Sequence, residues 1–246
     1  MAGQRGTIFL LLGMLAWIVA GFAGAVIAAG LLGAGSILIR NILGLATPSP
    51  DRIVYVLIAA SGFQVTLLLG ALWQGRRAGL SDGIGARSIR HVGAIILLSA
   101  AMIAWLMTFL LLAAAFPALR EFARSVTPDV LSGLGEGGPV AEVLGVALMV
   151  VLAPVSEEVF FRGWLWEALR QRGHTIGAIV ALTVTPWLLL HGIDSPGRIV
   201  FLIPAAVAFS LARYLGGGVL ASMTVHVTNN VTAVLIQTIS VLSGHG

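Results

Sequence analysis

Seven long runs of apolar residues divide this chain, and they decide what it can fold into. A run of about 20 apolar residues crosses the hydrocarbon core of a bilayer as a helix, because all backbone polar groups must be satisfied internally there. Only 10% of the 246 residues are charged, against about a quarter in a soluble domain. The sequence therefore predicts an all-α, polytopic membrane helix bundle of about seven (six to eight) transmembrane helices.

The predicted spans follow the apolar runs and are separated by polar loops. They are expected at about residues 7–33, 53–73, 94–116, 140–170, 176–193, 199–214 and 218–242. A short interfacial helix is a possible feature of the linker after the first span, and residues 118–139 are predicted as a loop. The N-terminal run resembles a signal peptide, but it is too long for one and is interpreted as the first membrane helix.

One stretch, SEEVFFRGW at residues 156–164, places three charges inside the fourth apolar run. A charge at mid-membrane depth costs about 2.5–3.5 kcal/mol on insertion scales, so such residues face the bundle interior or water and point to function. Glu158 and Arg162 are spaced i,i+4 and can pair on one helix face. Glu157 lies about 100° away around the helix, which leaves it free to face a cavity. Pro154, three residues before Glu157, is expected to remove a helix hydrogen bond.

Two later runs carry polar residues that suit a buried carboxylate. His191 ends the run TPWLLLH, and His226 and Asn230 are spaced i,i+4 in TVHVTNNVT, on one face of the last helix. Histidine and asparagine supply hydrogen-bond donors and acceptors, and histidine also binds metals. A purely structural role is the alternative for each of these residues.

Other chemistries are disfavoured by what the sequence lacks. It has no cysteine, and so no disulfide, thiolate metal ligand or cysteine nucleophile. It has no H-E-x-x-H zinc pair, no G-x-S-G serine motif and no G-x-G-D aspartate motif. Its arginines form no basic stripe of the kind that nucleic acid requires, so the lipid bilayer is the expected partner and nucleic acid is not. Packing or interfacial roles are predicted for Trp164, Trp166 and Trp187.

Three short motifs carry a resemblance to a known family. In chain order they are E-E-x-x-x-R at Glu157, Glu158 and Arg162, aromatic-x-x-x-His at Trp187 and His191, and H-x-x-x-N at His226 and Asn230. In this order and spacing, over about residues 140–242, they resemble the CPBP family, the CAAX protease and bacteriocin-processing (Abi) enzymes. The chain departs from the family at Trp187, where phenylalanine is usual.

The resemblance implies an all-helical intramembrane endopeptidase that acts on a peptide or a membrane-anchored protein. It implies one integrated membrane domain, with N-terminal helices and loops at residues 1–139 and the catalytic helix bundle at 140–246. It assigns Glu157 as the general base on a water and His191 as the residue that positions this water. His226 and Asn230 would stabilise the oxyanion. Glu158 and Arg162 would form an ion pair that stabilises the helix.

A metal-dependent form of the reaction is the alternative mechanism, since family members were long called metalloproteases. Glu157, His191 and His226 would then be three ligands of a zinc ion with an open position for water. Glu157 could not serve as the base in that case, so the form without a cofactor is favoured.

Two other functions stay open at this point. One is a non-proteolytic membrane scaffold or bacteriocin-immunity protein, and the other is a proton-coupled transporter that uses Glu157 and the histidines as a relay. The lysine-free usage, rich in Ala, Gly, Arg and Leu, is typical of a bacterial protein. The predicted location is therefore the bacterial inner (cytoplasmic) membrane.

Overall fold

The computed structural model describes residues 2–43, 52–80, 89–126, 138–192 and 195–242, and these ranges are helical apart from short turns. The helices are α1 (Ala2–Leu43), α2 (Arg52–Arg77), α3 (Val92–Ala115), α4 (Pro117–Val126), α5 (Gly138–Gln171), α6 (Ile176–Gly192), α7 (Pro196–Gly216) and α8 (Val219–Leu242). No strand occurs within the described ranges. The prediction of an all-α, polytopic bundle is confirmed.

Six of these helices are long and apolar enough to cross a membrane: α1, α2, α3, α5, α7 and α8. Helix α6 is as apolar as the others but has only 17 residues. At 1.5 Å per residue it reaches about 25 Å, which is less than the hydrocarbon core of about 30 Å. The predicted set of about seven spans therefore consists of six full spans and one shorter apolar helix.

Two boundaries differ from the sequence prediction. Helix α1 continues past Gly33 to Leu43, because most of the following residues are apolar. The Ser36 hydroxyl is satisfied within the helix, where it donates to Leu32 O. Residues 118–126, the first part of the predicted loop 118–139, form α4 instead. Proline at a first helical position and an amphipathic pattern, PALREFARSV, both favour that helix. The interfacial helix expected in the first linker falls partly on α1 and partly outside the described residues.

Helix α5 is not a regular α-helix. Its backbone is π-helical at Leu148–Leu152 and again at Glu158–Leu165, with α-helical turns before, between and after. The first π segment ends just before Pro154, which has no N–H to donate. Such wider turns are frequent at functional sites, and here they flank Glu157.

The middle of α5 forms the core of the bundle, where α2, α6 and α8 pack against it. Every residue from 156 to 169 is buried. Large apolar side chains, among them Phe160, Phe161 and Leu165, fill this region at 0% exposure. The charged stretch is thus enclosed by protein, as an ionisable group at membrane depth requires.

Helices α1 and α2 meet through small residues. A Cβ atom built on Gly62 would lie 2.7 Å from the Ala28 Cβ and 2.7 Å from Gly24 O. One built on Gly70 would lie 2.5 Å from the Trp17 ring. Small residues are favoured between membrane helices because they let the two backbones approach closely. The contact holds α1 against α2, whose other face reaches α5.

We expect Gly62→Leu to lower the free energy of unfolding by about 1–3 kcal/mol, the usual cost of overpacking a filled interface. Gly30→Leu is the matched control, since Gly30 is exposed and a Cβ there meets nothing within 4 Å. Unfolding of both variants in detergent micelles would be followed by circular dichroism. Equal midpoints for the two variants would contradict this packing.

Candidate active site

Glu157 lies in α5 and is 4% exposed, and both of its carboxylate oxygens accept hydrogen bonds from other helices. Oε1 accepts from Nε2 of Gln64 in α2 at 2.8 Å. Oε2 accepts from Nε1 of Trp187 in α6 at 2.7 Å. A carboxylate offers about four lone-pair positions, so each oxygen keeps one position for a further partner. Glu157 is therefore held in place and remains able to accept a proton.

His191 stands beside that carboxylate, one helical turn after Trp187. Its Nδ1 lies 2.8 Å from Trp187 O, and a backbone carbonyl can only accept, so Nδ1 is the donor. Its Nε2 lies 3.6 Å from Glu157 Oε2, too far for a direct hydrogen bond of ordinary length. In the neutral ring this Nε2 is an acceptor. The His191 side chain is 32% exposed, which makes it the accessible side of the site.

The neighbouring carboxylate, Glu158, is used differently. Its Oε1 accepts from Arg162 Nη1 at 3.2 Å and from His226 Nδ1 at 2.9 Å. All three side chains are at or below 4% exposure. Arg162 also donates through Nη2 to Ala206 O at 3.4 Å. The predicted i,i+4 pair is formed, and it joins α5 to α7 and α8.

Aromatic rings enclose this ion pair. The His226 ring stacks on Phe209, with centroids 4.2 Å apart. The guanidinium of Arg162 lies 5.4 Å from the Trp187 ring centroid and 5.7 Å from that of Phe209. Such contacts within about 6 Å favour a desolvated cation. They also hold His226 in a fixed plane next to Glu158.

Asn230 follows His226 by one turn of α8 and donates through Nδ2 to Met149 O at 2.8 Å. Met149 lies in the first π segment, where Ala153 N–H bonds to Leu148 O. The next donor in that register would be Pro154, which has none. The amide of Asn230 therefore supplies the hydrogen bond that Pro154 cannot make.

The structure thus brings only part of the predicted set together. Glu157 and His191 face each other, while His226 contacts Glu158 and Asn230 contacts Met149. Trp187, predicted as a packing or interfacial residue, is buried and is also a donor to Glu157. The sequence analysis did not identify Gln64 as a site residue. Its amide within the apolar run VYVLIAASGFQVTLLLG is the signal that indicates a buried polar contact.

The zinc alternative finds no support in the arrangement of donors. Within the described ranges, no group of three His, Cys, Asp or Glu side chains is placed to hold a metal ion. Of its three proposed ligands, Glu157 and His191 lie side by side, whereas Nδ1 of His226 is bonded to Glu158 and leaves only Nε2 for a metal.

Comparison with known proteins supports the family resemblance. Residues 139–232 match a family model described as Type II CAAX prenyl endopeptidase Rce1-like. The match spans α5 to most of α8 and contains all of the motif residues named above. No curated protein and no solved structure matches the chain.

Arg162→Met is expected to lower the free energy of unfolding by about 3–5 kcal/mol, because it leaves Glu158 buried without its main cation. The matched control is Arg124→Met, which breaks an exposed i,i+3 pair with Glu121 at 3.7 Å and should cost about 0–1 kcal/mol. Denaturant titration in mixed micelles measures both. Similar losses of unfolding free energy in the two variants would contradict a stabilising role for the pair of Glu158 and Arg162.

Asn230→Ala should cost about 1–3 kcal/mol in the same titration, since it leaves the partly buried Met149 carbonyl without a donor. Pro154→Ala restores an N–H in the position that faces Met149 O in the π register. The same Asn230→Ala substitution should therefore cost less in the Pro154→Ala background. An undiminished cost in that background would show that Asn230 does not replace the missing donor.

Proposed function

We propose that this chain, whose residues 139–232 match an Rce1-like endopeptidase family, is an intramembrane protease of the CAAX type. It would hydrolyse a peptide bond in a peptide or membrane-anchored protein at the inner membrane of a bacterial cell. The observation that carries the proposal is that two adjacent carboxylates have different partners. Glu158 is neutralised by Arg162, whereas the hydrogen-bond donors that reach Glu157 from the described residues are neutral, and Glu157 faces His191.

The proposed reaction begins with a water held between Glu157 and His191. Glu157 Oε2 and His191 Nε2 are both acceptors, so one water could donate a hydrogen to each across their 3.6 Å separation. The water's lone pair would then be directed at the substrate carbonyl carbon. Glu157 would take one proton as the new C–O bond forms, which is general base catalysis.

Collapse of the tetrahedral intermediate would complete the reaction. The C–N bond breaks, and the proton held by Glu157 passes to the leaving amine nitrogen. The products are a new carboxyl terminus and a new amino terminus, and Glu157 returns to its ionised form. Apart from the substrate and this one water, the balance of atoms needs no further group.

The oxyanion of that intermediate requires donors, and α8 carries two candidates. The Asn230 amide has two N–H groups, so the one not bonded to Met149 O could donate to the oxyanion. The His226 ring could donate through Nε2 when both of its nitrogens carry protons, because Nδ1 is already bonded to Glu158. Loss of one such donor typically costs about 10²–10³ in rate.

The function is tested by Glu157→Gln, which keeps the shape of the side chain but removes the base. We expect cleavage to fall by about 10²–10⁴, the contribution of a positioned general base. Wild type and variant would be expressed at equal levels in the native host, and protein termini in membrane and secreted fractions would be compared by mass spectrometry. Glu121→Gln is the matched control, because the Glu121 side chain is 78% exposed on α4.

Termini present with wild type and Glu121→Gln but absent with Glu157→Gln would establish the protease and identify its substrate. Identical termini in all three strains, with folded protein in each, would contradict the proposal. That result would favour the scaffold or immunity protein that the sequence left open.

A further inference from the structure

We infer that Gln64, oriented by Ser156, is a positioning residue that fixes the catalytic carboxylate of Glu157. The inference rests on the proposed function and deepens it. Gln64 lies in α2, outside the 139–232 match, and so belongs to the part of the chain to which no motif assigns a role. Its contact with Glu157 connects α2, one of the N-terminal helices, to the proposed general base.

The hydrogen-bond network leaves one orientation for the Gln64 amide. An ionised carboxylate only accepts hydrogen bonds, so the amide must turn its NH₂ group toward Glu157, where Nε2 lies 2.8 Å from Oε1. The amide oxygen then faces Ser156, whose hydroxyl donates to it. Ser156 Oγ also lies 2.8 Å from Leu152 O and 3.0 Å from Ala153 O, so two backbone carbonyls compete with Gln64 for its single hydrogen. The carboxylate of Glu157 thus selects the amide orientation, and the donation from Ser156 to the amide oxygen supports that orientation.

Two donors from two helices then define the plane of the carboxylate. Gln64 holds Oε1 from α2, and Trp187 holds Oε2 from α6 at 2.7 Å. With both oxygens held, the remaining acceptor position of Oε2 stays near His191. A general base must be held within hydrogen-bond reach of its proton, and a misplacement of about 1 Å can cost about 10² in rate.

Trp187 makes this arrangement specific to the present chain. The family resemblance places phenylalanine at this position, and phenylalanine has no N–H. In such a relative Oε2 would lack the indole donor, whereas here the carboxylate is held at both ends. Gln64 and Trp187 are therefore complementary, one for each oxygen.

The test compares catalysis with stability in variants that keep side-chain size. Gln64→Met has nearly the same length but no donor, and we expect it to lower kcat about 10- to 100-fold with KM within about twofold. Ser156→Ala should lower kcat less, because the amide can still reach Glu157 but is free to flip. The double variant should be no slower than Gln64→Met alone, since Ser156 acts only through Gln64. Gln74→Met is the control, a like substitution on α2 two to three turns away.

A second readout does not depend on activity. The infrared carboxylate band of Glu157 is identified as the band lost in Glu157→Gln, and it should shift in Gln64→Met but not in Gln74→Met. An unshifted band, or an unchanged kcat with a lower melting temperature, would overturn the inference and leave Gln64 as a packing residue. An additive effect of Ser156→Ala would overturn the orienting role.

Failure of the proposed function gives a different result. In that case wild type and Glu157→Gln would show the same absence of cleavage, whatever residue 64 is. If wild type cleaves and Glu157→Gln does not, the function stands, and the Gln64 variants then decide the inference on their own.

Discussion

The rest of the site depends on one buried ion pair, Glu158 with Arg162. Each of these charges would be costly alone in an enclosed apolar bundle, and together they remain acceptable only with further partners. His226 and the Ala206 carbonyl supply two such partners, so the pair links α7 and α8 to α5. Arg162 pairs with Glu158, and among the residues that the structure describes the donors to the adjacent Glu157 are the neutral side chains of Gln64 and Trp187. A brace and a candidate base thus arise from neighbouring residues of the same type.

The ion pair within the first motif could be predicted from the sequence because that interaction is local. Glu158 and Arg162 pair across one turn, and Glu157 lies off that face by the rotation of the helix. The long apolar runs likewise predicted the membrane helix bundle, although α6 is too short for a full span. Contacts distant in sequence could not be predicted in this way. The bond from Gln64 to Glu157 joins residues 93 positions apart, and no spacing rule connects them.

The role of Trp187 shows why residue type alone was insufficient. A tryptophan in an apolar helix is most often a packing residue, and this one is buried against Phe209. Its indole N–H nevertheless needs an acceptor once it is removed from water. Glu157 is that acceptor, so one side chain fills the core and restrains the candidate base. Trp187 also orients His191, because its backbone carbonyl accepts a hydrogen bond from Nδ1 of that ring.

Helix α8 contacts α5 on both sides of Glu157, and this geometry limits what its polar residues can do. His226 bonds to Glu158, one residue after Glu157, while Asn230 bonds to Met149, eight residues before it. The second contact exists because Pro154 and the π turn leave that carbonyl without a backbone donor. The two bonds set the register of α8 against α5. Any oxyanion donor on α8 is therefore placed relative to Glu157 by the same bonds, and the irregular backbone of α5 is what makes the second of them necessary.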